Sequence, residues 1–276
     1  MNPIDLIGNF LHGIILNALV ILYNALSFLH IPYALGFALI LLTVLVRFVL
    51  YPFTASQYKM TKKQKEISPH LSRIKELHKG DNKRIQEETM KLYKEHGINP
   101  ATGCLTALIQ FPILIALYTM LQKIVSLKPQ SLVAYVNKSL YFQSFKLHAP
   151  WDQHFFGVPL GQSPSHLVSV LGPTIFLVPV ATALFQFLQS KMMFSTPMET
   201  VIEKEAKKEN KEDFAAAFQS QSMYMFPAMI GLLSFTLPIG LSLYWNTFSI
   251  FGILQQYKIG GLGGLEGMFR KLRPLK

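Results

Sequence analysis

Long apolar runs alternate with polar segments along the whole 276-residue chain. Five runs are candidate membrane spans: residues 33–51, 102–125, 167–190, 222–237 and 239–257. About 20 apolar residues at helical rise cross a hydrocarbon core, and the first run, YALGFALILLTVLVRFVLY, has that length. The fourth is short and carries Pro227, and Pro238 with Gly240 marks a tight turn into the fifth. Residues 1–32 show a different pattern. At 100° per residue, Asn2, Asp5, Asn9, His12, Gly13, Asn17, Asn24, Ser27 and His30 fall within a sector of about 140°, with Leu6, Leu16 and Val20 intruding. This predicts an amphipathic helix lying in the outer interface. The nearly continuous apolar run 14–22 leaves a sixth span as the competing reading. Asp5 and the lack of a basic n-region set the segment apart from a conventional secretory signal. Pro32 marks the bend into the first span.

The polar segments have patterns of their own. Residues 52–101 predict a helical hairpin, with arms over 54–78 and 82–96 joined by Lys79-Gly80-Asp81. Asp81 is placed to cap the second arm. Glu87 with Lys91, and Lys91 with Glu95, have helix-face spacing. Pro69 kinks the first arm or marks a late start for it. Such a charge run is read either as a solvated spacer or as a platform for anionic headgroups or a ribosomal surface. Residues 126–166 form a loop. Residues 191–221 hold five basic and six acidic side chains and read as a short solvated helix or mobile loop without chemistry. Residues 258–276 form a basic tail, whose glycines at 260, 261, 263, 264 and 267 lack dinucleotide-binding spacing and read as flexible. The expected fold is an all-α membrane protein: five transmembrane helices, an N-terminal interfacial amphipathic helix and a cytoplasmic helical hairpin.

Composition and charge fix orientation. Half the residues are hydrophobic and the formal charge is +11. A basic chain suggests nucleic acid, but the distribution argues otherwise. Residues 52–100 carry eleven Lys/Arg, 191–221 five and 257–276 five, whereas 126–166 carry three. Basic residues thus collect in alternate loops, the positive-inside pattern, which puts the N-terminus outside and the C-terminus inside. The single cysteine, Cys104, allows no internal disulfide and reads as a small packing residue.

Enzyme signatures are absent from the sequence. It contains no phosphate-binding G-x-x-x-x-G-K-[ST], no H-E-x-x-H and no paired Cys/His set. The eight histidines fall in loops, the amphipathic helix or span edges, not at depth. The unusual residue is Arg47. It lies inside the first span, no candidate span carries Asp or Glu, and a guanidinium at depth costs roughly 2.5–3.5 kcal/mol on insertion scales. Pro52 follows five residues on, about 7.5 Å at helical rise, so the side chain either snorkels to the headgroups or sits in a wet cavity. Uncharged polar residues align on the spans: Thr43 with Arg47; Thr106 with Gln110; Thr182, Gln186 and Gln189; and Ser242, Trp245, Asn246 and Ser249. These stripes are read either as interhelical glue or as the lining of a polar cavity converging on Arg47.

Several of these residues also carry a resemblance. Thr43, Arg47 and Pro52, followed by Gln57, are similar to a T-x-x-x-R-x-x-x-x-P pattern of the YidC/Oxa/Alb membrane protein insertases. The hairpin exit Asn99-Pro100, the run Gly103, Cys104, Ile109, Gln110 and Pro112, and the ending Leu188-Gln189-Ser190-Lys191-Met192 also resemble that family. So do Met225, Pro227, Pro238, Gly240, Leu241, Leu243, Tyr244, Trp245 and Gln255-Gln256, so that the resemblance covers nearly the whole chain. Thr106 departs from it, standing where the family often has Pro.

The resemblance implies a small five-span bacterial insertase and not an enzyme, one that needs no cofactor, in the bacterial cytoplasmic membrane. A hydrophilic groove would open to cytoplasm and lipid, with Arg47 as its cation. The family's groove and contact positions carry over to Thr43, Gln189, Tyr244 and Trp245; Gln110, Gln186 and Asn246 join them from the polar stripes. Nascent membrane proteins are the implied clients, with membrane lipids as partners, the Sec translocon and ribosome as candidate partners, and no specific nucleic acid. The resemblance also implies that a large extracytoplasmic domain and a long ribosome-binding tail are missing. An anion channel or transporter using the same arginine is the reading from another class, though no internal repeat supports it. A purely structural scaffold is a third.

Overall fold

The computed structural model describes residues 3–99, 102–193 and 214–266. These are mostly helical, in two compact units: the described residues of 1–50, 107–185 and 229–251 form one, and those of 51–106, 186–228 and 252–276 the other.

In the first unit α1 (Pro3–Phe28) packs on α2 (Ala34–Val49). Ile15, Leu16, Leu19, Val20 and Leu26 of α1 and Leu35, Ala38, Leu39 and Leu42 of α2 are buried in one apolar core. To it α6 (Thr102–Ser126) adds Ile113, Leu117, Met120, Leu121 and Ile124, and α11 (Ile239–Gly260) adds Leu241, Tyr244 and Trp245. These positions recur at helical spacing, the expected signature of a stripe facing a core. Between α6 and α11 lie α7 (Pro129–Lys138), the two-residue strands β1 (His154–Phe155) and β2 (Val158–Pro159), α8 (Pro164–Leu171), α9 (Leu177–Met193) and α10 (Phe214–Thr236).

The polar sector of α1 does not simply face water. His12 Nε2 lies 2.7 Å from the Tyr135 hydroxyl. Asn17 donates to the Ser139 carbonyl at 3.0 Å and accepts from the Tyr141 amide at 2.7 Å. Asn24 donates to the Phe145 carbonyl at 2.9 Å, and Tyr23 packs on Trp151 at 5.5 Å between ring centroids. Residues 135–151, expected as plain loop, therefore run along α1 and satisfy its polar side chains. Periodicity located the polar face but gave no sign of what covers it. By length and apolarity alone, Phe10–Phe28 is long enough to span a bilayer.

A second unforeseen feature is an aromatic corner. β1 and β2 pair antiparallel through a turn at Phe156-Gly157, with φ of 49° and 78°. Tyr33, at the N-terminus of α2, also has positive φ, 56°. Bulky residues adopt that region only when their surroundings enforce it. Here ring packing does so: Tyr33–Phe156 at 4.9 Å, Phe37–Phe155 at 5.3 Å and Phe155–Phe156 at 4.8 Å. A Cβ on Gly36 would sit 2.0 Å from the Phe155 ring, so Gly36 is what lets that ring lie on α2. Nearby, His154 donates its amide and presents its ring to Asp152, which holds that carboxyl below its ordinary range.

The turn between α10 and α11 is as tight as Pro238 and Gly240 predicted. The Ile239 and Gly240 amides donate to the Gln162 and Leu160 carbonyls at 2.9 and 2.7 Å. A Cβ on Gly240 would stand 3.2 Å from the Leu160 carbonyl oxygen, which explains the glycine.

In the second unit α3 (Tyr51–Glu66) begins directly after Leu50, with Pro52 in its first turn, where the missing amide costs nothing. The chain breaks again at Ile67, and α4 (Ser68–Leu77) carries Pro69 in its first turn, so the proline breaks the first arm in two and does not delay its start. After Gly80 (φ 93°), Asp81 accepts from the Arg84 amide at 3.1 Å and caps α5 (Asn82–Glu95) as predicted. Ile67, Leu92 and Ile98, flanked by Leu71, Ile74 and Tyr93, form a small core of their own.

Two expectations needed adjustment. Residues 214–221 belong to the start of α10, so the fourth apolar helix is longer than its hydrophobic run; most of the segment read as solvated, residues 194–213, lies outside the described residues. The glycines after α11 are not a slack tail up to Glu266. Gly263 has φ 56°, and a Cβ there would meet the Met192 carbonyl oxygen at 2.0 Å, while Leu265 is buried. Lys65 pairs with Glu266 at 3.0 Å. Among the described residues Phe10–Phe28 and Pro164–Met193 are long and apolar enough to cross a membrane, with a third if the broken pair Ala34–Val49 and Tyr51–Glu66 is one span. The sequence of α11 explains why a 22-residue helix is not among them: Ser242, Asn246, Thr247, Ser249, Gln255 and Gln256 make it too polar.

Gly36→Ala is expected to destabilise the protein by about 1–2 kcal/mol through overpacking against Phe155. In a Phe155→Ala background, where no ring opposes the added methyl, Gly36→Ala should cost less, measured by detergent-solubilised thermal unfolding of the single and double variants.

Candidate functional site

Arg47 sits in the last turn of α2 and is only 1% exposed, so its side chain does not extend into bulk solvent. Its guanidinium carbon lies 3.4 Å from the centre of the Phe248 ring, and Nη2 donates to the backbone carbonyl of that same residue. A cation over an aromatic face is worth about 0.5–1 kcal/mol when exposed and ~2 or more when desolvated. Ring and carbonyl together offset much of the charge's burial cost. Thr43, one turn earlier, is 1% exposed and donates to its own helix at the Leu39 carbonyl, 2.7 Å away.

On α11, Phe248 lies one turn after Tyr244, with their ring centroids 5.7 Å apart. The buried Tyr244 hydroxyl accepts from Gln110 Nε2 on α6. Arg47, Phe248, Tyr244 and Gln110 therefore form one chain of contacts across three helices. Gln110 Oε1 and Asn246 Oδ1 are buried with no hydrogen-bond partner in the protein. Buried acceptors of this kind are normally satisfied, often by water. Trp245 is buried in the apolar core.

The stripe reading thus divides. Thr182 and Ser242 serve as glue: Ser234 on α10 donates to Thr182 at 3.2 Å and shares a 2.7 Å bond with Ser242. Gln186 and Gln189 belong to the second unit, where Gln189 Oε1 is also buried with no hydrogen-bond partner in the protein. The Thr106 side chain lies outside the described residues. Phe248 was not foreseen. Its spacing of four from Tyr244 was visible in the sequence, but an aromatic pair at helical spacing is ordinary core, and nothing in the sequence paired it with Arg47. Among the described residues no group of His, Cys, Asp and Glu could hold a metal ion.

These features define a helical membrane protein that keeps a guanidinium inside its packed interior among rings, amides and hydroxyls. The family profile described as 60Kd inner membrane protein matches residues 27–261. A membrane protein insertase YidC of Fusobacterium nucleatum is 30% identical over 81% of this chain and 85% of that protein. Another, from Streptomyces avermitilis, is 32% identical over 81% of this chain and 50% of the relative. The chloroplast inner membrane protein ALBINO3 of Arabidopsis thaliana is 30% identical over 89% of this chain and 51% of its own length. The chain thus spans about half the length of the Streptomyces and Arabidopsis relatives. The fold is similar to a crystal structure of an active YidC insertase with its first transmembrane domain resolved: TM-score 0.54 at 23% identity, over 88% of this chain and 45% of that one. The chain belongs to the YidC/Oxa/Alb family.

Tyr244→Phe leaves Gln110 Nε2 without its partner and is expected to cost about 1–3 kcal/mol. The double variant Tyr244→Phe with Gln110→Leu should lose less than Tyr244→Phe alone, since removing both partners leaves nothing unsatisfied. Thermal unfolding of the single and double variants in detergent measures this.

Proposed function

We propose that this protein is a membrane protein insertase that acts without a cofactor, and that the site around Arg47 is a polar groove for client segments. The observation that carries the reading is a guanidinium held inside the protein and linked through Phe248 and Tyr244 to Gln110, whose Oε1 is buried with no hydrogen-bond partner in the protein. In this reading water enters the site with the client, and a wet, cationic pocket shortens the apolar distance that a polar outer segment of the client must cross. The client's own hydrophobic helix then partitions into lipid, which supplies the driving force without nucleotide. Thr43, Tyr244 and Trp245 would line the pocket with Arg47; in the second unit, Gln189 by the family resemblance and Gln186 from its polar stripe are candidate client contacts.

Nascent membrane proteins are the clients in this reading, in the bacterial cytoplasmic membrane, with lipids as partners and the Sec translocon and ribosome as candidates. Five helices cross the bilayer, with the N-terminus outside, as the charge distribution favours: eleven basic residues in 52–100 against three in 126–166. The reading of α1 as interfacial is supported by its bonds to residues 135–145, a segment with Asn137, Lys138, Gln143 and nearby Lys146 that is too polar to follow it through hydrocarbon. The basic α4–α5 pair would be a cytoplasmic hairpin that receives the client.

The test is insertion of single-span clients into proteoliposomes containing the protein. Arg47→Ala is expected to lower insertion of clients with acidic outer segments about fivefold more than that of neutral ones, the ratio produced by ~1 kcal/mol. Equal insertion with and without the protein, or flux of small inorganic anions in place of client insertion, would refute the reading.

A further inference from the structure

The Arg47 charge is not open to a client as the protein stands. Phe248 covers one face of the guanidinium with its ring, at 3.4 Å, and holds Nη2 with its backbone carbonyl. With only 1% of Arg47 exposed, a client group reaches the charge only if something moves. The carbonyl is fixed in α11, whereas the ring can rotate about its side-chain torsions. Phe248 is itself only half-buried, so the ring is not locked on every side.

Resting on the groove reading above, we propose that Phe248 is a displaceable cap on Arg47 and sets how strongly the pocket favours clients that carry a carboxylate. The physical basis is a competition for one cation. A carboxylate gives the guanidinium a charge-assisted, bidentate partner, stronger than a ring face. A client bearing Asp or Glu therefore gains enough to push the ring aside. A neutral polar segment gains no such contact and passes with the cap in place. Specificity is a difference between these two cases, and the strength of the ring–cation contact sets part of that difference. The Tyr244 ring, 5.7 Å from that of Phe248, gives the displaced ring a neighbour to pack on.

The experiment compares acidic and neutral single-span clients in proteoliposomes with the wild type, Phe248→Leu, Phe248→Met and Phe248→Tyr, each also in an Arg47→Ala background. Removing the ring by Leu or Met is expected to raise the acidic-to-neutral insertion ratio about threefold, a modest contact's share of a tenfold-per-1.4-kcal/mol scale. Neutral-client yield should change less than acidic-client yield in the Leu and Met variants, and the ratio with Phe248→Tyr, which keeps the ring, should match the wild type. With Arg47→Ala the Phe248 variants should no longer alter the ratio. An unchanged ratio in both Leu and Met variants, or an equal fall for both clients, overturns the cap. If Arg47→Ala alone leaves the wild-type ratio unaltered, the groove reading itself falls; if it alters the ratio while the Phe248 variants do not, only the cap falls.

Discussion

A guanidinium enclosed by apolar helices is the constraint around which the first unit is arranged. Neither α2, α6 nor α11 contains an Asp or Glu, so no charge on those three helices answers it. One residue, Phe248, offers it both a backbone carbonyl and a ring. A full ion pair would neutralise Arg47 and make it costly to separate, because breaking a buried pair strands a charge. A carbonyl and a π face each stabilise a cation less than a carboxylate does. The same helix carries Tyr244 to Gln110 and so ties α6 to the arrangement.

Much of this was legible in the sequence. Arg47, the stripe containing Gln110, the turn at Pro238-Gly240 and the Asp81 cap all follow from local chemistry, and local chemistry is what a single sequence exposes. What stayed hidden was pairing across distance. Nothing in Asn17 names Tyr141, 124 residues on, as its partner. Nothing in Gly36 names Phe155, and the two-residue strands that present that ring are too short to leave an alternating pattern. Gly263 misled for a related reason: a glycine demanded by close approach to Met192 is indistinguishable in sequence from one in a slack tail.

Polar side chains in this protein meet three distinct fates, though their residue types overlap. Those of α1 are satisfied by the segment 135–145, which fixes that helix against residues it does not adjoin in sequence. Thr182, Ser234 and Ser242 bond to one another. Gln110 and Asn246 keep buried oxygens that no protein group satisfies. Only the last class is costly to leave alone, and Gln189 Oε1 on α9 shares that fate. Helix periodicity alone could not separate the three, because each lies on a face with the same spacing.

The hydroxyl trio has a consequence of its own. Thr182, Ser234 and Ser242 join three helices through groups that are neutral at every physiological pH and that both donate and accept. The electric field across an energised membrane does work only on charge. That seam therefore joins its helices without placing any net charge for a membrane voltage to act on.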